Sequence, residues 1–417
     1  MSRAMKKASD RLAPPDAVLL GCVLALLSFS VLMVYSTSVS VAEVRYHAPL
    51  RIIGHWLLYI PIGLIIMWVM SRIDVNWWRA SSLPVLGLGL VLMVAVLVPG
   101  LGREINGAQR WFSLFGLTLQ PVELLKPAII IYMAYYMSSF PDRLQRFSSG
   151  LAPMLVVLGI ALALLLLQPD FGSAVLLSAA CFCMWFVGGV PIRHLLLMIS
   201  AFIPLAVVAV VIEPYRMQRM VSYLHPWQDQ YGSGYQLIQS MIAFGSGGLF
   251  GTGIGQGVQK LFYLPEAFTD FISATIGEEL GLAGVLVMLT VFAVLLGRGV
   301  WLAIVQEDMF SRQIILGCMM CIGVALFINL GAAMGLLPTK GMPLPFISYG
   351  GSALIGECVL IGLVLSVQRH GAGNVRLHKK AGSRQRSVSK LRQKQGKNAA
   401  ISNIMPTQQA TGQEQLL

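Results

Sequence analysis

Charged residues are scarce in this chain. Asp, Glu, Lys and Arg make up 12% of its 417 residues, whereas an average soluble domain contains about 25%. A soluble globular protein is therefore excluded, because it would lack the polar surface needed to stay dispersed. Eight long stretches have no charge, and each reaches or approaches the roughly 20 residues that cross a hydrocarbon core as a helix. They are 17–42, 52–71, 80–102, 147–169, 171–192, 194–212, 280–297 and 313–339.

These runs also lack alternation of apolar and polar residues. The run 161–167 contains no polar residue, which excludes a transmembrane barrel and favours helices. The six cysteines all fall inside apolar runs without polar company, so we expect neither a disulfide nor a metal–thiolate site. The first run is too long for a cleavable signal peptide and is interpreted as an uncleaved anchor. The predicted fold class is an all-α polytopic membrane protein.

The hydropathy pattern predicts ten transmembrane helices and one long outward loop, 213–270, between spans 7 and 8. The C-terminal tail, residues 369–417, follows the last span. Its part 369–397 carries ten Lys or Arg and no Asp or Glu. Because basic residues mark the cytoplasmic side, both termini are predicted to be cytoplasmic, including the N-terminal segment 1–16. The membrane domain is 17–368. Its spans are 17–35, 52–71, 82–100, 120–138, 151–168, 171–189, 194–212, 271–297, 313–333 and 351–368.

The basic tail is expected to be disordered and attracted to anionic membrane lipids. Nucleic-acid binding is not expected, because the tail has no interleaved aromatic residues. The outward loop contains seven glycines within 245–257. That density fits either a phosphate-cradling loop or a re-entrant, closely packed segment. Close packing is favoured, because neither a preceding strand nor a following Lys-Ser/Thr is present.

Polar residues at the outer ends of spans need an explanation, because charge in a membrane is costly. Pro121 suits the first turn of a helix, and Glu123 and Lys126 then lie on one face. This pair is either a local ion pair that lets both residues enter the membrane or a pair facing a cavity, with Lys126 available to a phosphate. We favour the cavity. Asp170, in a tight outward turn, either caps the next helix or is functional.

Glu266 and Asp270 lie four residues apart where the long loop meets span 8. Asp270 is interpreted either as the N-cap of that span or as a general base, since flanking Phe268 and Phe271 would raise its basicity. Lys340, in a Pro/Gly-rich segment, is a second candidate for an anionic ligand. With Arg110, Lys126, Arg216, Arg219 and Lys260 it forms an outward basic set. The intramembrane carboxylates Glu278, Glu279 and Glu357 have no assigned role.

Five short segments in a fixed order along the chain, together with the ten predicted spans and the long loop, resemble the SEDS family of cell-wall polymerases. The resemblance covers roughly residues 16–369. The stretch 337–341 and the basic tail favour the division-type members over the elongation-type ones. Val122 and Glu357 depart from the family pattern. The five segments are Gly107–Trp111, Gln120–Lys126, Gln168–Gly172, Leu264–Glu266 with Thr269–Phe271, and Ile347–Ser352.

The resemblance implies an inverting peptidoglycan glycosyltransferase that polymerises lipid II on the outer face of the cytoplasmic membrane at the division septum. It implies that Asp270 is catalytic and that Glu123 and Lys126 lie near the substrate. Arg110, Lys126 and Lys340 would neutralise the departing pyrophosphate, and a divalent cation could join them. Glu266 and Asp170 complete the expected substrate-binding set. The expected partners are a class B penicillin-binding protein and other division proteins.

Three alternatives remain open. A flippase for the same lipid would also use intramembrane charges, but inverted-repeat transporters show internal symmetry, which this sequence lacks. An elongation-type polymerase would share the chemistry. A non-catalytic scaffold for division proteins would not need Asp270.

Overall fold

The computed structural model describes residues 12–105, 107–114, 117–212, 214–339 and 341–370, which are mostly helical. The terminal segments 1–11 and 371–417, which include most of the predicted basic tail, lie outside the described residues. The helices are α1 Ala17–Tyr46, α2 Arg51–Met70, α3 Val75–Ala80, α4 Ser82–Ala95, α5 Pro121–Ser139, α6 Ala152–Leu167, α7 Phe171–Val187, α8 Ile192–Val211, α9 Pro214–Leu224, α10 Tyr235–Gly247, α11 Ile272–Ile304, α12 Met309–Ala333 and α13 Gly351–His370.

Among the described residues, six helices are long and apolar enough to cross a bilayer: α1, α2, α6 with the π turn Phe147–Leu151 before it, α11, α12 and α13. Helix α4, helix α7 and most of α8 are shorter apolar helices. Each of the ten predicted spans overlaps a helix. The polytopic helical membrane protein is thus confirmed, while the count of ten spans stays a prediction.

Two helices run beyond their predicted ends. Helix α1 continues through 36–46, a stretch predicted as an outward segment, and ends at His47 in the left-handed conformation. Helix α11 continues past 297 to Ile304 and contains a break at Gly281. Both extensions contain polar residues that are satisfied inside the protein: Ser36 donates to Glu279 at 2.8 Å, and Arg298 pairs with Asp16 at 2.7 Å. Loss of apolar character therefore does not mark the end of a helix.

The all-α prediction is wrong in one outward segment. Strands β1 Arg103–Ile105, β2 Ala108–Leu114 and β3 Leu117–Leu119 form an antiparallel sheet in the order β1-β2-β3. Two of these strands have only three residues, which is too short for apolar–polar alternation to identify them. The sheet leads directly into α5 and carries Arg110.

The glycine-rich part of the outward loop packs closely on α11, as predicted. A Cβ at Gly247 would overlap the carbonyl oxygen of Gly277. Two buried carboxylates of α11 hold this segment. Glu278 accepts from the backbone of Val258 at 2.8 Å, and Glu279 pairs with Lys260 at 2.5 Å. The expectation that Lys260 belongs to an outward basic set is therefore wrong, because its ammonium is buried and paired with Glu279 inside the protein.

Helix starts and packing follow from local chemistry. Asp16, Asp74, Asp170 and Asp308 accept hydrogen bonds from backbone N–H groups at the starts of α1, α3, α7 and α12, which satisfies donors that a helix leaves free. The bundle, Pro14–Gln368, is one compact unit. Large buried side chains such as Trp56, Trp185 and Phe292 fill it. In a second unit, Arg369 donates to the carbonyl of Ala13 at 2.9 Å.

Candidate functional site

Helix α5 places a lysine and a glutamate side by side inside the protein. Pro121 occupies the first turn, where a proline costs no hydrogen bond. Lys126 Nζ lies 2.7 Å from Glu123 Oε1, and their side chains are only 13% and 8% exposed. The predicted ion pair is therefore present.

The same pair lines a small pocket, and the availability of Lys126 to a phosphate stays a prediction. Glu357 of α13 is the third ionisable side chain in this pocket, so two carboxylates face one ammonium. Gly356 makes room for the arrangement, since a Cβ there would overlap the Glu123 carboxylate. The remaining lining residues are largely apolar: Leu176, Cys321, Ile322, Ala325, Pro345 and Leu360.

Arg110 and Asp170 meet at the turn between α6 and α7. Arg110 donates from Nε to the carbonyl of Gln168 at 2.5 Å and from Nη2 to that of Pro169 at 2.7 Å. Asp170 accepts from the backbone and the hydroxyl of Ser173 at 3.0 and 2.8 Å. The capping interpretation of Asp170 is thus confirmed, and Arg110 holds the turn to the β-sheet.

Asp270 lies just before α11, but it is not the N-cap. The helix begins after Phe271, which occupies the N-cap position and makes no side-chain capping bond. The preceding turn is closed instead by the carbonyl of Glu266, a residue with φ 56°, which accepts from the backbone of Thr269 and Phe271. The capping interpretation of Asp270 is therefore wrong. Among the described residues, no hydrogen bond to its carboxylate is found.

The surroundings of Asp270 make its carboxyl unusually basic. Burial, reinforced by the nearby Glu266 carboxylate and opposed by Arg219, raises the pKa of Asp270 to about 7. Loss of hydration disfavours the charged form, and a like charge adds to the effect. A Cβ at Gly341 would lie 3.0 Å from Asp270 Oδ2, so this glycine leaves space over one face of the carboxylate.

The main chain around Asp270 is held by residues that the sequence did not identify as functional. Asn329 of α12 donates to the carbonyl of Asp270 at 2.8 Å, and Ser348 donates to that of Thr269 at 2.5 Å. The backbone of Tyr349 donates to the carbonyl of Phe268 at 2.9 Å. An amide side chain within a charge-free membrane span was the available signal for Asn329.

The structure thus separates the candidate residues into two clusters. Asp270, Glu266 and Arg219 form the first, and Glu123, Lys126 and Glu357 form the second. Among the described residues, no ion pair joins Asp270 to Lys126, and the small pocket lined by Lys126 does not include Asp270. The segment 341–350 runs past both clusters, because Gly341 approaches Asp270 and Pro345 lines the pocket of Lys126.

Several members of the predicted basic set lie outside the described residues or are engaged elsewhere. Lys340 lies outside the described residues, as does the side chain of Arg216. Arg219 donates to the carbonyl of Thr339 at 3.1 Å. Within the described ranges, no three His, Cys, Asp or Glu side chains come together as a resident metal would require.

Comparisons with known proteins identify one family. The FtsW/RodA/SpoVE family, described as "Cell cycle protein", matches residues 16–372. A probable peptidoglycan glycosyltransferase FtsW of Geobacter metallireducens is 42% identical over 358 residues, which cover 86% of this chain and 96% of that relative.

Two solved structures share the fold. A chain from work on structural coordination of polymerization and crosslinking by a peptidoglycan synthase complex is 31% identical, with a TM-score of 0.71, and the match covers 85% of this chain and 98% of that one. The rod shape determining protein RodA of Thermus thermophilus is 27% identical, with a TM-score of 0.65, over 86% of this chain and 97% of RodA.

Proposed function

The chain belongs to the FtsW/RodA/SpoVE family of cell cycle proteins, and from this premise we propose which of its residues carry out peptidoglycan polymerisation. It is a peptidoglycan glycosyltransferase of the division type, the activity named for its relative of 42% identity. The substrate is lipid II, a disaccharide-pentapeptide on a lipid pyrophosphate. Its lipid tail can stay in the hydrocarbon while its head reacts outside.

We assign the general base to Asp270. The acceptor sugar loses the proton of its 4-hydroxyl to this carboxylate, the oxygen attacks the anomeric carbon of the donor, and the lipid pyrophosphate leaves with inversion. The observation that carries this assignment is a carboxylate that caps no helix, whose pKa is raised to about 7, and whose main chain is held by Asn329 and Ser348. A base near neutral pKa is about half deprotonated at cellular pH.

We assign to Arg110, Lys126 and Lys340 the neutralisation of the negative charge on the departing pyrophosphate. In the structure Arg110 and Lys126 are engaged with carbonyls and with Glu123. Lys126 would therefore exchange a carboxylate for a phosphate when substrate arrives. Glu123 holds that ammonium until then, Glu266 tunes Asp270, and Asp170 supports the turn that Arg110 contacts. No step of this mechanism is routed through a divalent cation.

The ten-span topology, with cytoplasmic termini and an outward active site at the septum, belongs to the same proposal. The outward loop 213–270 then carries Asp270. A class B penicillin-binding protein is the proposed partner, supported by the likeness to a chain of a peptidoglycan synthase complex.

The test is Asp270→Asn in the purified full chain, reconstituted with lipid II. We expect polymer formation to be abolished, while the variant still folds and co-purifies with the transpeptidase. Asp229→Asn, in the same outward loop and engaged only locally with Ser233, is the matched control and should keep its activity. Substantial polymerisation by Asp270→Asn would remove Asp270 from the base role.

Measuring lipid II translocation and polymer formation in the same liposomes distinguishes a flippase from a polymerase. That alternative predicts translocation without polymer in the unmodified chain. Complementation of cells depleted of a division-type or an elongation-type polymerase separates the two polymerase roles. A scaffold without catalysis would complement equally well with Asp270→Asn.

A further inference from the structure

Glu357 is a carboxylate within α13, and neither the proposed chemistry nor helix capping uses it. A glutamate in a membrane-spanning helix is costly unless it faces protein or water. Glu357 is half-buried and faces the pocket of Glu123 and Lys126. Its described hydrogen bond does not go to either of these residues.

Glu357 Oε2 accepts from the backbone N–H of Phe346 at 2.6 Å. Phe346 is almost fully buried and has φ 60°, in the left-handed region that a bulky residue seldom adopts. A buried N–H without an acceptor is costly. Glu357 therefore satisfies the backbone at the most constrained point of the segment 342–349.

The same segment holds the main chain around Asp270 from the other side. Ser348 accepts from the backbone of Leu344 at 2.7 Å and donates to the carbonyl of Thr269 at 2.5 Å. Asn329 joins the carbonyls of Met342 and Asp270, at 2.8 Å each. A chain of hydrogen bonds thus runs from Glu357 through the segment to the main chain at Asp270.

We propose that Glu357 is a positioning residue for glycosyl transfer: by accepting from Phe346 it holds segment 342–349 in the conformation that orients Asp270. Glu357 contacts neither Asp270 nor the reacting atoms. Glu357 acts because its side chain is long enough to accept a hydrogen bond from Phe346, and its net charge is not needed. This inference rests on the proposed role of Asp270.

Two variants of nearly the same size distinguish the effect of side-chain length from the effect of charge. Glu357→Gln keeps the full side-chain length and an oxygen acceptor but loses the charge. Glu357→Asp keeps the charge but withdraws the carboxylate by one methylene, out of reach of the Phe346 N–H. Leu363→Met, at a buried position of α13 that does not line the pocket, is the matched control.

The experiment measures kcat and KM for lipid II polymerisation and amide hydrogen exchange of residues 342–349 in the reconstituted full chain. We expect Glu357→Gln to stay within about threefold of the parent and Glu357→Asp to lose about tenfold in kcat with little change in KM. Exchange should rise in Glu357→Asp and stay at the parental level in Glu357→Gln and Leu363→Met.

Activity of Glu357→Asp equal to or above that of Glu357→Gln would overturn the proposal, as would unchanged exchange in Glu357→Asp. If the parent chain forms no polymer, the proposed function fails. The exchange comparison still decides whether Glu357 holds the segment.

Discussion

The side-chain amide of Asn329 in α12 lies 2.8 Å from the main-chain carbonyl oxygen of Asp270. The same nitrogen reaches the carbonyl of Met342 at 2.8 Å, and Oδ1 accepts from Ser273 at 3.0 Å. One buried amide thus joins three parts of the chain at the residue we assign as the base. It is the link through which a transmembrane helix orients the outward loop.

Asn329→Asp should lower both activity and stability. The new oxygen would face two carbonyl oxygens that lose their donor, and a buried polar group without a partner costs about 1–3 kcal/mol. We expect polymerisation to fall at least about tenfold, with a lower temperature of unfolding. Ser273→Ala removes only the contact to Oδ1 and is the control, expected near parental activity. Parental turnover in Asn329→Asp would contradict the orienting role of this amide.

The pH dependence of kcat/KM should follow the ionisation of Asp270. Because the base must be deprotonated, activity should rise with pH and level off above about 7. Glu266→Gln removes the like charge that raises the pKa of Asp270, so the rise should move to lower pH. Polymerisation rates across a pH series check both statements. A profile that is flat, or that moves to higher pH in Glu266→Gln, would exclude this assignment.

The raised pKa of Asp270 also predicts a change in stability with pH. The folded-state pKa lies above the ordinary value of 3.8, so the stability associated with this group is fully present at low pH. It is lost as the pH rises through about 7. Asp270→Asn should therefore unfold at a higher temperature than the parent above that pH. Thermal unfolding at two pH values tests this, and an equal difference at both would disprove it.

Glu123 and Lys126 should behave as a coupled pair. Lys126→Met leaves an uncompensated buried carboxylate, a change that typically costs about 3–5 kcal/mol. Lys126→Met combined with Glu123→Gln should recover part of that loss, because the buried charge is removed as well. A double-mutant cycle on thermal unfolding measures the coupling. Strictly additive effects of the two single changes would mean that the pair is not coupled.

Much of the fold was predictable because the bilayer imposes it. Without water to satisfy the backbone, an apolar run must be helical, so the charge-free stretches located eight of the helices. The i,i+3 spacing predicted the pair of Glu123 and Lys126. The β-sheet was not predictable, since its strands are too short to show a period. The continuation of α1 through 36–46 was hidden because Ser36 is satisfied by Glu279, a partner distant in sequence.

The sequence by itself determined that this chain is a helical membrane protein, which family it resembles, and which few charged residues need a reason to be there. Only the tertiary structure decided which partners each of them has. Asp170 caps a helix, Lys260 forms an internal ion pair, and Asp270 caps no helix. Asn329 and Ser348 hold the main chain around Asp270. Hydration, hydrogen-bond partners and neighbouring charge set the chemistry of a carboxylate, and all three come from residues far apart in the chain.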